Sequence, residues 1–270
     1  MKPSRRLKKP DTSSKLILEE IIGLTTKNAN GLASSNSKAN CVYLAGCVVV
    51  VYNIDSGTQS HLIVSNRMPK PLSCVAISQD GSFVAAGESG HQPAVLIWDA
   101  ATLAVISELK GHQYGVSCIG FSPDGRRLVS VGFPRDGYIC LWDRRSGILF
   151  TKVKACSSCS AVASVSFSSD AKFIVTAGKR HLKFWKIGSS TRPRTNTGAA
   201  ALTMQGKSVS LSHHKGCLFI AVTSSIWTDS CRVDWDQAGE VLPIYALTDA
   251  GVLCVLTFWA VNTKLGRLKG

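Results

Sequence analysis

Apolar and polar positions along this chain fall into short runs, and the runs stop repeatedly at turn-forming residues. Between Cys74 and Asp99, "CVAIS", "FVAAG" and "VLIWD" follow one another, broken by "QDG" and by "ESGHQPA". Runs this short, rich in Val, Ile and aromatic residues and bounded by Gly, Asp and Ser, predict β-strands rather than helices. The order strand, turn, strand, turn, strand then recurs. Segments 72–99, 116–143 and 162–186 line up, with Trp98, Trp142 and Trp185 spaced by 44 and 43 residues and Asp80, Asp124 and Asp170 in equivalent turns. Pro123 suits the second position of its turn, and Gly81 and Gly125 are free to take positive φ. "LAVISEL" and "ILFTKV" supply a fourth, outer strand to the first two copies.

A four-stranded unit of about 40–45 residues that closes on Trp-Asp is the pattern of a propeller blade. These units resemble WD40 repeats, and the middle copy carries Gly111-His112, "SPDG" and "LWD" at 141–143. The resemblance implies an all-β propeller in which His112, Ser130, Asp136 and Trp142 form a polar network inside one blade. It also bears on "DGYICLWD" (136–143), which could otherwise be taken for a pair of catalytic carboxylates. Asp136 becomes the bonding partner of His112, and Asp143 a solvated strand end. Trp98, Asp99, Asp143 and Trp185 close their repeats. Gln92 stands six residues before Trp98 and Lys179 six before Trp185, so the neighbouring copies lack the Asp. The network therefore reads as an optional stabiliser and not a catalytic centre.

The chain divides into a basic tail (1–15), a propeller (16–260) and a polar tail (261–270). The expected blades cover about 16–66, 67–110, 111–155, 156–205 and 206–260. "LILEEIIGL", "CVYLAG", "CVVVVYNI" and "SHLIVS" are the strand-like runs of the first, with "KNANGLASSNSKAN" as a separator. "SVSLS", "CLFIAVTS", "LPIYALTD" and "GVLCVLTFW" are those of the fifth. The further Trp-Asp in "VDWDQAGE" (233–240) sits among polar residues and reads as a loop. Five blades are fewer than the seven typical of the family, and "AVNTKLGRLKG" offers no closing strand, so an incomplete seven-bladed ring is expected.

Longer strings are more specific. "LAGCVVVVYN", "GESGHQPAVLIWD", "HQYGVSCIGFSP" and "FIVTAGKRHLKFW" resemble the amino-terminal propeller of the WD-repeat protein 62 / mitogen-activated-protein-kinase-binding protein 1 family. The similarity spans about residues 17–256 and weakens after Gly188. It implies a non-catalytic scaffold that binds stress-kinase components and acts at spindle poles and centrosomes. Kinase docking in that family lies largely in a carboxy-terminal region outside the matched stretch. Other proteins are the expected partners, in the cytoplasm, on the cytoskeleton or in the nucleus.

Composition adds limits. With 45% hydrophobic and 18% charged residues the chain is globular rather than disordered. Most of the ten cysteines lie in apolar runs, where a reduced thiol acts as a small hydrophobe. The apolar stretch after the basic start breaks at Glu19 and Glu20, so no secretory signal is read, and no apolar run reaches the roughly 20 residues that span a bilayer. Of the net charge of +14, residues 1–15 hold +5 and the last ten +3. "RRLKK" reads as a solvated terminus, with a nuclear-localisation patch as the alternative.

Few residues suggest other chemistry. "CSSC" (156–159) and "SHHKGC" (212–217) lack the second pair or the spacing of a metal or redox site. No phosphate loop, HExxH or GxSxG elbow appears. No catalytic residue, metal, cofactor, membrane or small-molecule substrate is expected. A nucleic-acid-associated adaptor is the alternative, since "GKRHLKFWK" (178–186) mixes cations with aromatics, although alternation in a strand buries one face. Loops entering first strands and joining second to third strands share one rim, and there His91, Tyr114, Phe133, Arg135 and Arg180 are the candidate partner contacts.

Overall fold

Three hairpins fold on the same local chemistry. The Ser78 hydroxyl donates to Asp80 Oδ1, Asp80 Oδ1 accepts the amide of Ser82, and Ser78 Oγ accepts the amide of Phe83. Ser122 with Asp124 and Ser168 with Asp170 repeat these contacts on Arg126, Arg127, Lys172 and Phe173. Each turn thereby satisfies the amides that its reversal would leave open. Partial burial pulls Asp80 and Asp124 upward, but these hydrogen bonds outweigh it and hold both below the ordinary carboxyl range.

The computed structural model describes residues 18–25, 28–35, 37–156, 160–189, 202–209, 216–224 and 241–259. Its strands form five antiparallel sheets in a five-bladed propeller arrangement. Blade 1 holds β1 (Leu32–Ser34), β2 (Asn40–Ala45), β3 (Val48–Asn53) and β4 (Thr58–Leu62). Blade 2 holds β5 (Leu72–Ile77), β6 (Phe83–Glu88), β7 (Ala94–Asp99) and β8 (Val105–Lys110). In blade 3 they are β9 (Val116–Phe121), β10 (Arg127–Gly132), β11 (Tyr138–Asp143) and β12 (Leu149–Lys154). Blade 4 comprises β13 (Ala161–Phe167), β14 (Phe173–Lys179), β15 (His181–Ser189) and β16 (Leu202–Ser208), and blade 5 β17 (Phe219–Ser224), β18 (Val241–Thr248) and β19 (Leu253–Trp259). Among the described residues the helical content is one 3-10 turn, Ala29–Gly31, and no helix is long and apolar enough to cross a membrane.

Three expectations change. "LILEEIIGL" is not a strand: residues 18–25 are irregular and lie along blade 1, where Tyr43 Oη and Gln59 Nε2 donate to the Ile21 carbonyl and Thr25 N donates to Leu44 O. The inner strand of blade 1 is β1, which lies inside the segment read as a separator. Of "SVSLS" only Ser208 and Val209 are described, and Ser208 ends β16 in blade 4 rather than opening blade 5. Asp143 is not merely solvated. Its Oδ2 accepts the amide and hydroxyl of Ser146, as Asp99 Oδ1 accepts the amides of Ala101 and Thr102. Asn53 makes the same turn in blade 1 with Ser56. "VDWDQAGE" lies outside the described residues.

The blades stack through alternating side chains. Along β7, Leu96 and Trp98 pack toward blade 1 while Val95 and Ile97 pack toward blade 3. Along β11, Cys140 and Trp142 face blade 2, and Ile139 and Leu141 face blade 4. The period of two puts successive residues on opposite faces, and both faces are covered, so these strands are apolar almost throughout. Trp98, Trp142 and Trp185 stand opposite Val84, Leu128 and Ile174 in one shared register, each with 1–2% of its surface exposed.

Inner strands are also tied across blades. Ser73 Oγ donates to Val116 O, and Ser117 Oγ donates to Val162 O one repeat later. Ser164 Oγ accepts the Val222 amide. From the 3-10 turn, Asn30 Nδ2 reaches Ser117 O at 3.1 Å and Ala163 O at 2.7 Å, which joins blade 1 to blades 3 and 4. Asn30→Ala should therefore lower the urea midpoint by roughly 1 kcal/mol of stability with unchanged m. An unaltered midpoint would show that this cross-tie carries no weight.

Candidate interaction surface

In blade 3 the sequence brings four side chains to one buried point. Trp142 Nε1 donates to Ser130 Oγ at 2.8 Å, and Ser130 Oγ lies 2.8 Å from His112 Nε2. His112 Nδ1 lies 2.5 Å from Asp136 Oδ2. The carboxylate accepts the Nδ1 proton, which leaves Nε2 to accept the Ser130 hydroxyl proton. The order Ser, His, Asp is that of a nucleophile, its base and an orienting acid. Here Ser130 is fully buried and its oxygen already receives the indole N–H, so no substrate can reach it. The arrangement works as a fastener between β10, β11 and the two upper loops.

The neighbouring blades hold different solutions to the same problem, which sequence positions alone did not reveal. Thr176 occupies the place of Ser130 in blade 4. It accepts the Trp185 indole N–H at 2.8 Å, and His181 Nε2 lies 2.7 Å from it. The imidazole comes from the first residue of β15 instead of the loop before the first strand. Burial, reinforced by Lys183, pushes His181 down to about 4. In blade 2, Ala86 takes the serine position, and among the described residues nothing accepts the Trp98 N–H.

Blade 2 still has an acid at the upper end. A Cβ on Gly132 would collide with the Asp136 carboxylate. Glu88 grows from the equivalent backbone position, so its side chain enters the space that Asp136 fills in blade 3. Glu88 is 1% exposed, accepts the Ala94 amide at 2.9 Å and pairs with Arg67 Nη2 at 2.6 Å. Arg67 Nε also binds Glu108 at 3.0 Å. The acid is thus replaced, not lost: a Glu at the end of β6 with a cation in the preceding loop is the signal that would have found it.

These fasteners support an upper rim whose loops are bonded to one another. Gln92 N donates to Gln113 O, Ser89 bridges Gly115, and Phe133 N donates to Gly115 O. Gly115 has φ +139°, and a Cβ there would collide with the Phe133 ring, so the ring lies directly on the loop backbone. Above it the Arg135 guanidinium sits 4.8 Å from the centre of the exposed Tyr114 ring. The structure thus brings Tyr114, Phe133 and Arg135 together. His91 occupies the adjoining loop, whose carbonyl Lys70 Nζ holds at 2.8 Å. Arg180 stands on the next blade, with its amide near Cys217 O.

Other candidates yield little. Phe184 and Trp185 of "GKRHLKFWK" are buried, so that segment offers no stacking face. Burial pushes Cys74 and Cys140 up to about 12, which removes them as nucleophiles at neutral pH. Among the described residues no group of three or more His, Cys, Asp or Glu could hold a metal ion. Of "CSSC" only Cys156 is described, and "SHHKGC" is described only at Gly216 and Cys217.

Repeated four-stranded sheets, Trp-Asp turns and a His-Ser-Asp-Trp network define a propeller of WD40 repeats. The family profile "WD domain, G-beta repeat" matches residues 103–143 and 150–186, and the chain belongs to the WD40-repeat proteins. It is 36% identical over 247 residues to mitogen-activated protein kinase-binding protein 1 of Mus musculus, covering 92% of this chain and 15% of that protein. To WD repeat-containing protein 62 of Sus scrofa it is 39% identical over 189 residues, covering 70% of this chain and 12% of that one. A more distant match, 27% over 184 residues, is cilia- and flagella-associated protein 52 of Mus musculus, covering 66% of this chain and 29% of the relative.

Three outcomes follow from the fasteners. Ala86→Ser should supply an acceptor for the Trp98 N–H but bring a buried hydroxyl with no imidazole beside it, so stability should change by less than about 1 kcal/mol, whereas Asp136→Ala should lower it by about 1–3 kcal/mol, both read by urea unfolding. The unfolded chain takes up a proton near pH 6.5 that folded His181 refuses until about pH 4. Stability should therefore fall with pH across that window, by on the order of 3 kcal/mol in all, and His181→Asn should flatten that limb. Loss confined to pH below the carboxyl range would contradict the assignment to His181.

Proposed function

We propose that this chain is a non-catalytic scaffold that holds protein partners on its upper rim, in kinase signalling or in spindle-pole and centrosome assembly. One observation carries the reading: bonded loops lift Tyr114 and Arg135 into solvent above a buried polar support. Recognition on a stiff frame of this kind avoids the entropy of ordering loops at contact. The kinase assignment is supported by the name of the murine kinase-binding relative, and the cytoskeletal one by that of the cilia- and flagella-associated relative. The chain spans only 15% and 29% of these relatives, so their whole activities are not assumed for it.

Affinity capture with the tagged chain, quantified for kinase-pathway and spindle-pole proteins, tests the reading. Tyr114→Ala and Arg135→Ala should each reduce the captured partner about tenfold, as side chains of these types do at interface centres. Their thermal midpoints should stay within about 2 °C of the parent. Unchanged capture, or capture lost together with folding, would refute the proposal.

A further inference from the structure

Charge is sorted between the two ends of blades 2–4. Asp80, Asp99, Asp124, Asp143 and Asp170 all lie in the lower turns, where they bond backbone amides and mix with Arg126, Arg127, Arg145 and Lys172. The described carboxylates at the upper ends of blades 2–4 are Glu88, Glu108 and Asp136, each engaged by Arg67 or His112, while Asp249 in the upper loop of blade 5 accepts the Leu218 amide. Arg135, Lys152, Lys154, Lys179, Arg180 and Lys183 share the upper ends of blades 3 and 4, and among the described residues none forms an ion pair. Lys152 and Lys183 instead donate to the carbonyls of Gly111 and Ala155.

These cations occupy a band of adjoining upper loops and strand ends in blades 3 and 4. The Arg135 loop runs to Gly137, whose carbonyl accepts the Ala155 amide; Ala155 O in turn accepts Lys183, two residues past His181 and three past Arg180. The Arg135 guanidinium lies over the Tyr114 ring, 4.8 Å from its centre, and carries N–H donors of the kind that bind a carboxylate or phosphate in pairs. Arg180 adopts φ 51°, a conformation that glycine holds without a Cβ conflict. We infer that this upper band docks an acidic peptide segment of a partner protein, through carboxylate or phosphate groups; the inference rests on the scaffold reading above. A nucleic acid fits less well. Tyr114 and Tyr138 each have one ring face covered, by Arg135 and Lys152, and Trp185 is buried, which leaves bases little to stack on among the described residues.

Fluorescence anisotropy on the full chain tests this with a labelled Glu/Asp-rich peptide, its phosphoserine counterpart and a single-stranded oligodeoxynucleotide of equal charge. The parent should bind one or both peptides at low salt. Arg135→Glu and Arg180→Glu should each weaken binding about tenfold, while Arg145→Glu on the lower face should leave it unchanged. Arg180→Gly is the separating variant, expected to raise the thermal midpoint and weaken the peptide together. Tighter phosphopeptide binding assigns phosphate as the recognised group, and equal binding assigns charge shared with carboxylates. No peptide binding, equal loss with Arg145→Glu, or tighter oligonucleotide binding through the same arginines would overturn the inference. If Tyr114-dependent capture persists while both peptides fail, the acidic partner falls and the scaffold stands; if Tyr114-dependent capture is absent as well, both fall.

Discussion

An indole N–H carried into the interior between two sheets has to find an acceptor, and the blades are built around that need. Packing of Trp98, Trp142 and Trp185 against the preceding blade removes each ring from water, and an unmet N–H there costs on the order of 1–3 kcal/mol. Ser130 and Thr176 meet it from the middle of the second strand. Their hydroxyls then require an imidazole, and in blade 3 the imidazole requires an acid. A chain of polar groups grows from one apolar packing event, each member satisfying the last. Blade 2 breaks the chain at Ala86 yet keeps its far end, where Arg67 and Glu88 replace imidazole and acid.

That internal use of acids shapes the surface. Carboxylates at the upper ends are drawn into the fasteners, and the remaining carboxylates of blades 2–4 are used as turn acceptors below. Cations lie at both ends, and those at the upper ends of blades 3 and 4 lie along aromatic rings or reach loop carbonyls instead of pairing with described carboxylates. A rim whose cations pair with no carboxylate among the described residues is thus a by-product of how the blades are held together. The same residues that look catalytic in sequence are the ones least able to react, because satisfying them internally is their role.

Sequence reading recovered what is local. Ser-x-Asp turns, Trp spacing and alternating runs are written within a few residues, and they located most strands of blades 2, 3 and 4. The blade 3 network was legible because all four members occupy their family positions. Blade 1 was harder: β1 is three residues long among polar neighbours, while "LILEEIIGL" is apolar without forming a strand. Tyr52-Asn53 stands where Trp-Asp would, so the turn made by Asn53 was not recognised. Arg67, Glu88 and His181 were missed because they stand at other positions of the repeat than the family's histidine and aspartate.

A double-mutant cycle on His112→Ala and Asp136→Ala, read as urea-unfolding free energy, tests the fastener account most directly. Coupled burial predicts that each single change removes most of the pair's contribution, with a coupling energy on the order of 2 kcal/mol. Changes that add to within about 0.5 kcal/mol would mean that the two side chains stand side by side without depending on one another, and the account would fail.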